Sequence, residues 1–347
     1  MKKSLFAIFA VAACFASCSK VVESTVFDNP ISFDNYVGKD AMTRASVVEN
    51  VKSVRVNAYL RPKASTDAFL ANFMNNQEVK WEAAAQGDGG SWTYAPAKFW
   101  PAADQVVDFV AWVPVNNATV ENATLEFTVP EEVKMQTDLL VAGSQMGLNR
   151  AADNSPVNLN FKHLLSRIGF QISATGIPND DVTVVELVEV TLNGGFASSG
   201  VVDMTKDINN IAIAAADDTE TTSAYTLTGT HFGWETNVMT NGDTQNTDES
   251  YIMLIPDGND PESITVTYTI TTDNGDGTTT EVENTADFDL DGDGTFVYEA
   301  GKAYKYIFRI TLESITFEVE ETPWDETTPD KDITPVDPTQ QGGQGNN

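Results

Sequence analysis

No cysteine follows Cys18, and the two in the chain, Cys14 and Cys18, both lie in its first eighteen residues. A disulfide framework is thereby excluded from everything downstream, whose stability must come from buried core. Histidine is as scarce, with only His163 and His231. Zinc sites built from several His or Cys at short spacing are excluded, and a Ser-His-Asp enzyme would have to use one of these two. No Gly-x-Ser-x-Gly elbow occurs, nor a glycine-rich phosphate loop running into a helix. Cations are few: 20 Lys and Arg against 51 Asp and Glu give a formal charge of −31. Nucleic-acid backbones are held by clustered Lys and Arg, and no basic patch with interleaved aromatics exists, so no nucleic-acid partner is expected. The acidity reads as solubility at an exposed surface. With 51 carboxylates, pairs of them arise inevitably and are no evidence of glycoside hydrolysis.

The N-terminus carries Lys2 and Lys3 ahead of an uncharged apolar run from Leu5 to Phe15. Eleven helical residues reach about 16 Å, too short for a permanent bilayer span. Residues 1–17 therefore read as a signal peptide. Phe15-Ala16-Ser17-Cys18 resembles a lipoprotein cleavage site, with Cys18 as the lipidated residue. Phe15 departs from the usual aliphatic residue, and Val11-Ala12-Ala13-Cys14 offers Cys14 as an alternative that would cut the apolar core short. Lipidation of Cys18 would leave no free thiol for catalysis. Loss of Lys2 and Lys3 takes the formal charge to −33.

About 330 residues remain, enough for two domains with sizeable cores. From Val51 the pattern has period two: Val54, Val56, Ala58 and Leu60 alternate with Arg55, Asn57 and Tyr59. Such alternation marks a strand with one buried face. Further strands are expected at 106–113, 125–129, 157–161, 168–172, 182–192, 225–227, 251–255, 264–270, 304–312 and 315–319. Residues 67–75 (DAFLANFMN) are the best helix candidate, with Phe69, Leu70 and Phe73 on one face and Thr66 as a cap. Many strands separated by Gly, Asn and Asp turns argue for β-sandwiches. The turn Gly176–Asp181 divides the chain into 45–175 and 176–325. Residues 18–44 are read as a tether or leading strand. Residues 326–347, rich in Pro, Gly and Gln, form a tail with too little apolar surface to order itself.

Several signatures in order resemble the fimbrillin-like family of Bacteroidetes, the pilin and pilus-tip lipoproteins. They are Thr43-Arg44-Ala45, then Trp92-Thr93-Tyr94, Lys98-Phe99-Trp100-Pro101 and Val107-Asp108-Phe109-Val110-Ala111-Trp112 with Pro114. Gln136–Ala142, Val157–Arg167 and Gly301-Lys302-Ala303-Tyr304-Lys305-Tyr306 follow, closing at Trp324. The resemblance covers about residues 43–325. It implies an all-β fold of two tandem transthyretin-like β-sandwich domains in an outer-membrane lipoprotein displayed at the cell surface. It also implies that a protease cuts between Arg44 and Ala45, removing a leading strand and opening a groove that a strand from another fimbrial subunit fills. Residues 21–33, with Val22, Val26, Ile31 and Phe33, could supply that removable strand. An uncut linker arginine is the alternative reading of Arg44.

One departure bears on the subunit's place. In shaft pilins the terminal segment is the donor, yet beyond Trp324 only Ile333 and Val336 stand among prolines that cannot join a ladder. Donation would have to come from residues 314–320, or the chain is a tip, accessory or non-shaft member. A non-polymerising surface lipoprotein that binds glycan or host protein is the alternative. Asp289, Asp291 and Asp293, with Gly294, match the start of an EF-hand loop and make a weak calcium candidate. Ala300 stands where the bidentate Glu should be, and Asp-Gly pairs between strands are hairpin turns. No metal or cofactor beyond the N-terminal lipid is expected, and no enzyme. His163 and the aromatics Trp81, Trp92, Tyr94, Trp100 and Trp112 are expected to pack rather than catalyse or bind sugar.

Overall fold

The computed structural model describes residues 29–37, 52–69, 71–83, 90–114, 117–152, 154–177, 182–216, 221–228, 238–239, 242, 244–246, 251–256, 261–290, 297–312 and 314–323. Among them the chain is nearly all strand, with one 3-10 turn at Val133–Met135 and no α-helix. The all-β class expected from the alternating segments is therefore the observed one.

The first nine strands are β1 (Phe33–Val37), β2 (Ser53–Pro62), β3 (Ala71–Ala83), β4 (Gly90–Thr93), β5 (Gln105–Val113), β6 (Ala118–Glu121), β7 (Thr124–Thr128), β8 (Leu140–Leu148) and β9 (Val157–His163). Seven of them form one sheet in the order β1-β9-β8-β5-β2-β3-β4. Its central strand β5 is buried from Val106 to Val113, so both faces of the sheet are covered. Val107, Phe109 and Ala111 share one core with Val54, Val56, Trp92, Trp100, Ile31 and Phe33. Val110 and Trp112 point the other way, into a larger core shared with the rest of the chain. Strand alternation sends neighbouring residues to opposite faces, which is how one strand feeds two cores. On the same strand Asp108 is fully buried, bonded by Arg61 Nε at 2.8 Å and by the Gly147 amide at 2.6 Å.

The helix expected over 67–75 is absent, and this is a correction. Residues 71–75 open β3, which pairs antiparallel with β2 from Leu60↔Ala71 to Ser53↔Lys80. Phe69 sits before it at φ 58°, its ring edge-on to Tyr59 with centroids 5.0 Å apart. The helical spacing of Phe69 and Phe73 arose from a loop residue and a strand residue. The open edge of β2 supplied ladder hydrogen bonds that outweigh local propensity.

The remaining strands are β10 (Ser166–Ala174), β11 (Thr183–Ala197), β12 (Ser199–Asp203), β13 (Ile213–Ala215), β14 (Thr221–Thr228), β15 (Val238–Met239), β16 (Thr244–Asn246), β17 (Ile252–Leu254), β18 (Pro261–Asp273), β19 (Thr279–Asp289), β20 (Lys302–Ile310) and β21 (Ile315–Pro323). One sheet runs β16-β10-β20-β21 with β17 also on β10, and another runs β14-β11-β18-β19 with β15 on β11. Their facing sides meet at pairs such as Phe288 and Phe308, with ring centroids 5.3 Å apart.

Sheet pairing crosses the division drawn at 175/176. Strand β10 lies before it yet pairs parallel with β20 from Arg167↔Ala303 to Ala174↔Ile310. A fourth sheet, β13-β12-β7-β6, joins two strands from each side. Gly143 of β8 sits against the backbone of Asp207 and Ile208, where a Cβ would lie 2.2 Å from the Ile208 nitrogen. A hairpin at 273–277 joins β18 to β19, with Gly275 at φ 77° and Gly277 at φ 86°.

Candidate functional site

The segment ahead of Arg44 provides the site. Residues 29–37 run between β9, at one edge of the seven-stranded sheet, and the Lys98–Trp100 segment that follows β4, and bond to both. On one side the Ile31 amide donates to the Lys98 carbonyl at 2.8 Å, and the Trp100 amide donates to the Asn29 carbonyl at 3.3 Å. On the other side β1 pairs parallel with β9, in register from Phe33↔Val157 to Val37↔Phe161. The Val157 amide donates to the Ser32 carbonyl at 2.8 Å, at the crossover between the two ladders. The Asn29 side-chain amide adds a bond to the Ala151 carbonyl.

Two side chains anchor this segment. Ile31 is 1% exposed and Phe33 6% exposed, while Asp34 faces solvent. The Phe33 ring meets Tyr94 and Phe109 edge-on at centroid distances of 5.5 and 5.9 Å. Trp100 closes the same pocket, 5.9 Å from Phe109. Edge-on aromatic contacts of this kind add to the gain from burial. The Tyr94 hydroxyl donates to the Ile31 carbonyl at 2.9 Å and accepts from the Lys98 amide at 3.2 Å. Burial pushes its pKa up, against the opposing effect of that amide, so it stays a neutral donor.

These contacts give the sequence signatures a place. Tyr94, Lys98-Phe99-Trp100, Phe109 and Val157–Phe161 lie in separate sequence motifs, and the fold assembles them around residues 29–37. The residues ahead of Asn29, and Arg44 with Ala45, lie outside the described residues, as do Cys14 and Cys18. Of the calcium candidates, Asp289 ends β19, and Asp291 and Asp293 lie outside the described residues. Among the described residues no group of three His, Cys, Asp or Glu is placed to hold a metal, and no helix is long and apolar enough to cross a membrane.

His163 ends β9, and its Nδ1 lies 2.5 Å from Oδ2 of buried Asp138. The 25 positions between them hide this pairing from the sequence. His231 lies outside the described residues. Trp92, Trp100 and Trp112 are buried, while Trp81 is half-buried with its ring 5.6 Å from Trp92. Core packing is thus the role of the three buried tryptophans.

Comparison with known proteins agrees with this architecture. A crystallised fimbrial protein from Bacteroides vulgatus superposes with a TM-score of 0.61 at 16% identity, over 85% of this chain and 99% of its own. A proposed cell adhesion protein from Bacteroides ovatus superposes with a TM-score of 0.50 at 14% identity, over 86% of this chain and 98% of its own. These likenesses establish the fold. No curated protein matches the sequence. The fimbrillin-like family model matches residues 43–324. The chain belongs to the fimbrillin-like family.

Proposed function

We propose that this protein is a structural or adhesive subunit of a bacterial surface fimbria, assembled by β-strand addition after proteolysis between Arg44 and Ala45. Family membership supports a fimbrial, non-enzymatic role at the cell surface. The observation that carries the finer reading is the position of residues 29–37. They lie upstream of Arg44, close the gap between β9 and the Lys98–Trp100 segment, and place Ile31 and Phe33 in the core. A cut at Arg44 severs this segment from everything it packs on. Its departure would bare the Lys98–Trp100 ladder and the β9 edge together, and such an edge pairs with any strand that offers matching side chains.

Lipidation at Cys18, with Cys14 the alternative, would anchor the uncut chain to the outer membrane. We read a place at the tip, or as an accessory or non-shaft subunit, from residues 325–347, where Ile333 and Val336 are the only large aliphatic residues, among prolines. Residues 314–320 are then the remaining donor.

The test is cleavage of purified residues 19–347 with an arginine-specific protease, followed by native gels and electron microscopy. Loss of the leading segment with appearance of dimers, ladders or filaments is expected. A product that stays monomeric and equally stable would favour a stand-alone binding lipoprotein.

A further inference from the structure

Strand β9 is held unevenly along its length. Its ladder to β8 covers only Leu140↔His163, Val141↔Lys162 and Ala142↔Phe161. Past Ala142 the backbone of β8 turns to other partners. The Ser144 amide donates to the Lys206 carbonyl at 2.9 Å, and Gly143 packs on Asp207 and Ile208. Val157–Asn160, the first half of β9, thus have β1 as their one strand partner among the described residues, from Phe33↔Val157 to Tyr36↔Asn160. Val157 and Leu159 are fully buried, yet they enter the core that Ile31 and Phe33 complete.

We infer that Val157–Asn160 are a strap, ordered by the leading segment and loosened when that segment leaves, with a stop at Phe161. This rests on the reading of residues 29–44 as removable. Without β1 the strap has no ladder on either side, so nothing offsets the conformational entropy that order costs it. Its N–H and C=O groups find their partners in water by lifting away. Two further ties leave with the segment, the bond from the Val157 amide to the Ser32 carbonyl and that from the Asn29 side chain to the Ala151 carbonyl. Val157 and Leu159 lose Ile31 and Phe33 from their core at the same moment.

The stop is built from contacts that the leading segment does not supply. The ladder to β8 begins at Phe161. Two residues on, His163 Nδ1 lies 2.5 Å from Oδ2 of buried Asp138. The Leu164 amide then donates to the Leu139 carbonyl at 2.9 Å, where the chain leaves β9 for β10. Loosening is thereby confined to the first half of the strand and does not reach the β10–β20 sheet. The consequence is protective. A subunit that has lost its leading segment presents a locally unfolded strap in place of a flat, ready edge, and an edge that is not formed is a poor template for stray pairing.

Residues 19–347 contain no cysteine, so single nitroxide labels can be placed cleanly. Asn158→Cys and Lys162→Cys put one on each side of Phe161, on the same face of β9. Electron spin resonance spectra are taken of each uncut chain and of its monomer cut at Arg44 and freed of the leading segment. Both labels should be immobilised in the uncut chain. After release the label at 158 should lose its immobilised component, and the label at 162 should keep it. A label at 158 that stays immobilised with the segment gone overturns the strap and leaves the removable reading intact. Loosening at 162 as well overturns the stop at Phe161. A segment that stays bound after the cut, with both spectra unchanged, overturns the removable reading and the strap with it.

Discussion

Residues 31–34, which lead into β1, and Ile315–Glu318 of β21 carry the same four residue classes, and both strands lie at sheet edges. Their surroundings differ sharply. Ile31 is sealed in a core and its segment is tied to β9 and to Lys98–Trp100, whereas Ile315 is half-buried and its strand pairs with one neighbour. The charged pairs differ in the same sense. Arg61–Asp108, in the sheet that holds β1, is buried at 2.8 Å, and Arg309–Glu318 lies on the surface at 2.6 Å. One edge is held by two buried apolar anchors, the other by main-chain bonds, surface ion pairs and Ile315, which packs partly buried on the larger core. Edge strands marked by surface carboxylates resist casual pairing.

Changing anchors should expose that difference. Phe33→Ala should have the largest effect, a loss of about 4 kcal/mol measured by urea unfolding, since it empties a pocket between three aromatic rings. Asp108→Ala should cost about 3 kcal/mol, because Arg61 and the Gly147 amide lose their buried partner. Ile315→Ala in half-exposed β21 should cost about 1 kcal/mol or less by the same measurement. Equal losses for Phe33→Ala and Ile315→Ala would erase the comparison.

The smallest effect concerns pH. The Arg309 guanidinium holds the Glu318 carboxyl below the ordinary glutamate range. A depressed carboxylate stabilises the fold above its unfolded value and loses that stabilisation as pH falls through its folded value. Glu318→Gln should therefore loosen β21 slightly at neutral pH and make no difference in strong acid. Amide exchange of β21 in the two proteins across that range reads the effect. A gap between them that widens on acidification would contradict the assigned sign.

Much of this was legible in the sequence because alternation reports one-sided burial directly. Strand β20 was visible from Tyr304, Tyr306, Phe308 and Ile310, each of which is buried. The groove was half legible. Ile31 and Phe33 were candidates for a leading strand, and the Lys98–Trp100 and Val157–Phe161 motifs were recognised. Nothing local shows that positions 31 and 98 meet, since a ladder between them depends on the whole sheet curling round. Residues 67–75 misled for a related reason, because the vacancy beside β2 is invisible to local spacing. Sheet sharing across Gly176 was hidden as well. A glycine-proline turn marks a break in the chain's direction, not in its hydrogen bonding.

The most direct test is hydrogen exchange at the Val157 amide, which donates to the Ser32 carbonyl. It should be protected in the uncut protein, exchange freely once the chain is cut at Arg44 and the leading segment released, and regain protection when copies assemble. Continued protection in an isolated, cut monomer without residues 29–37 would show that the groove does not open, and strand addition at this edge would have to be abandoned.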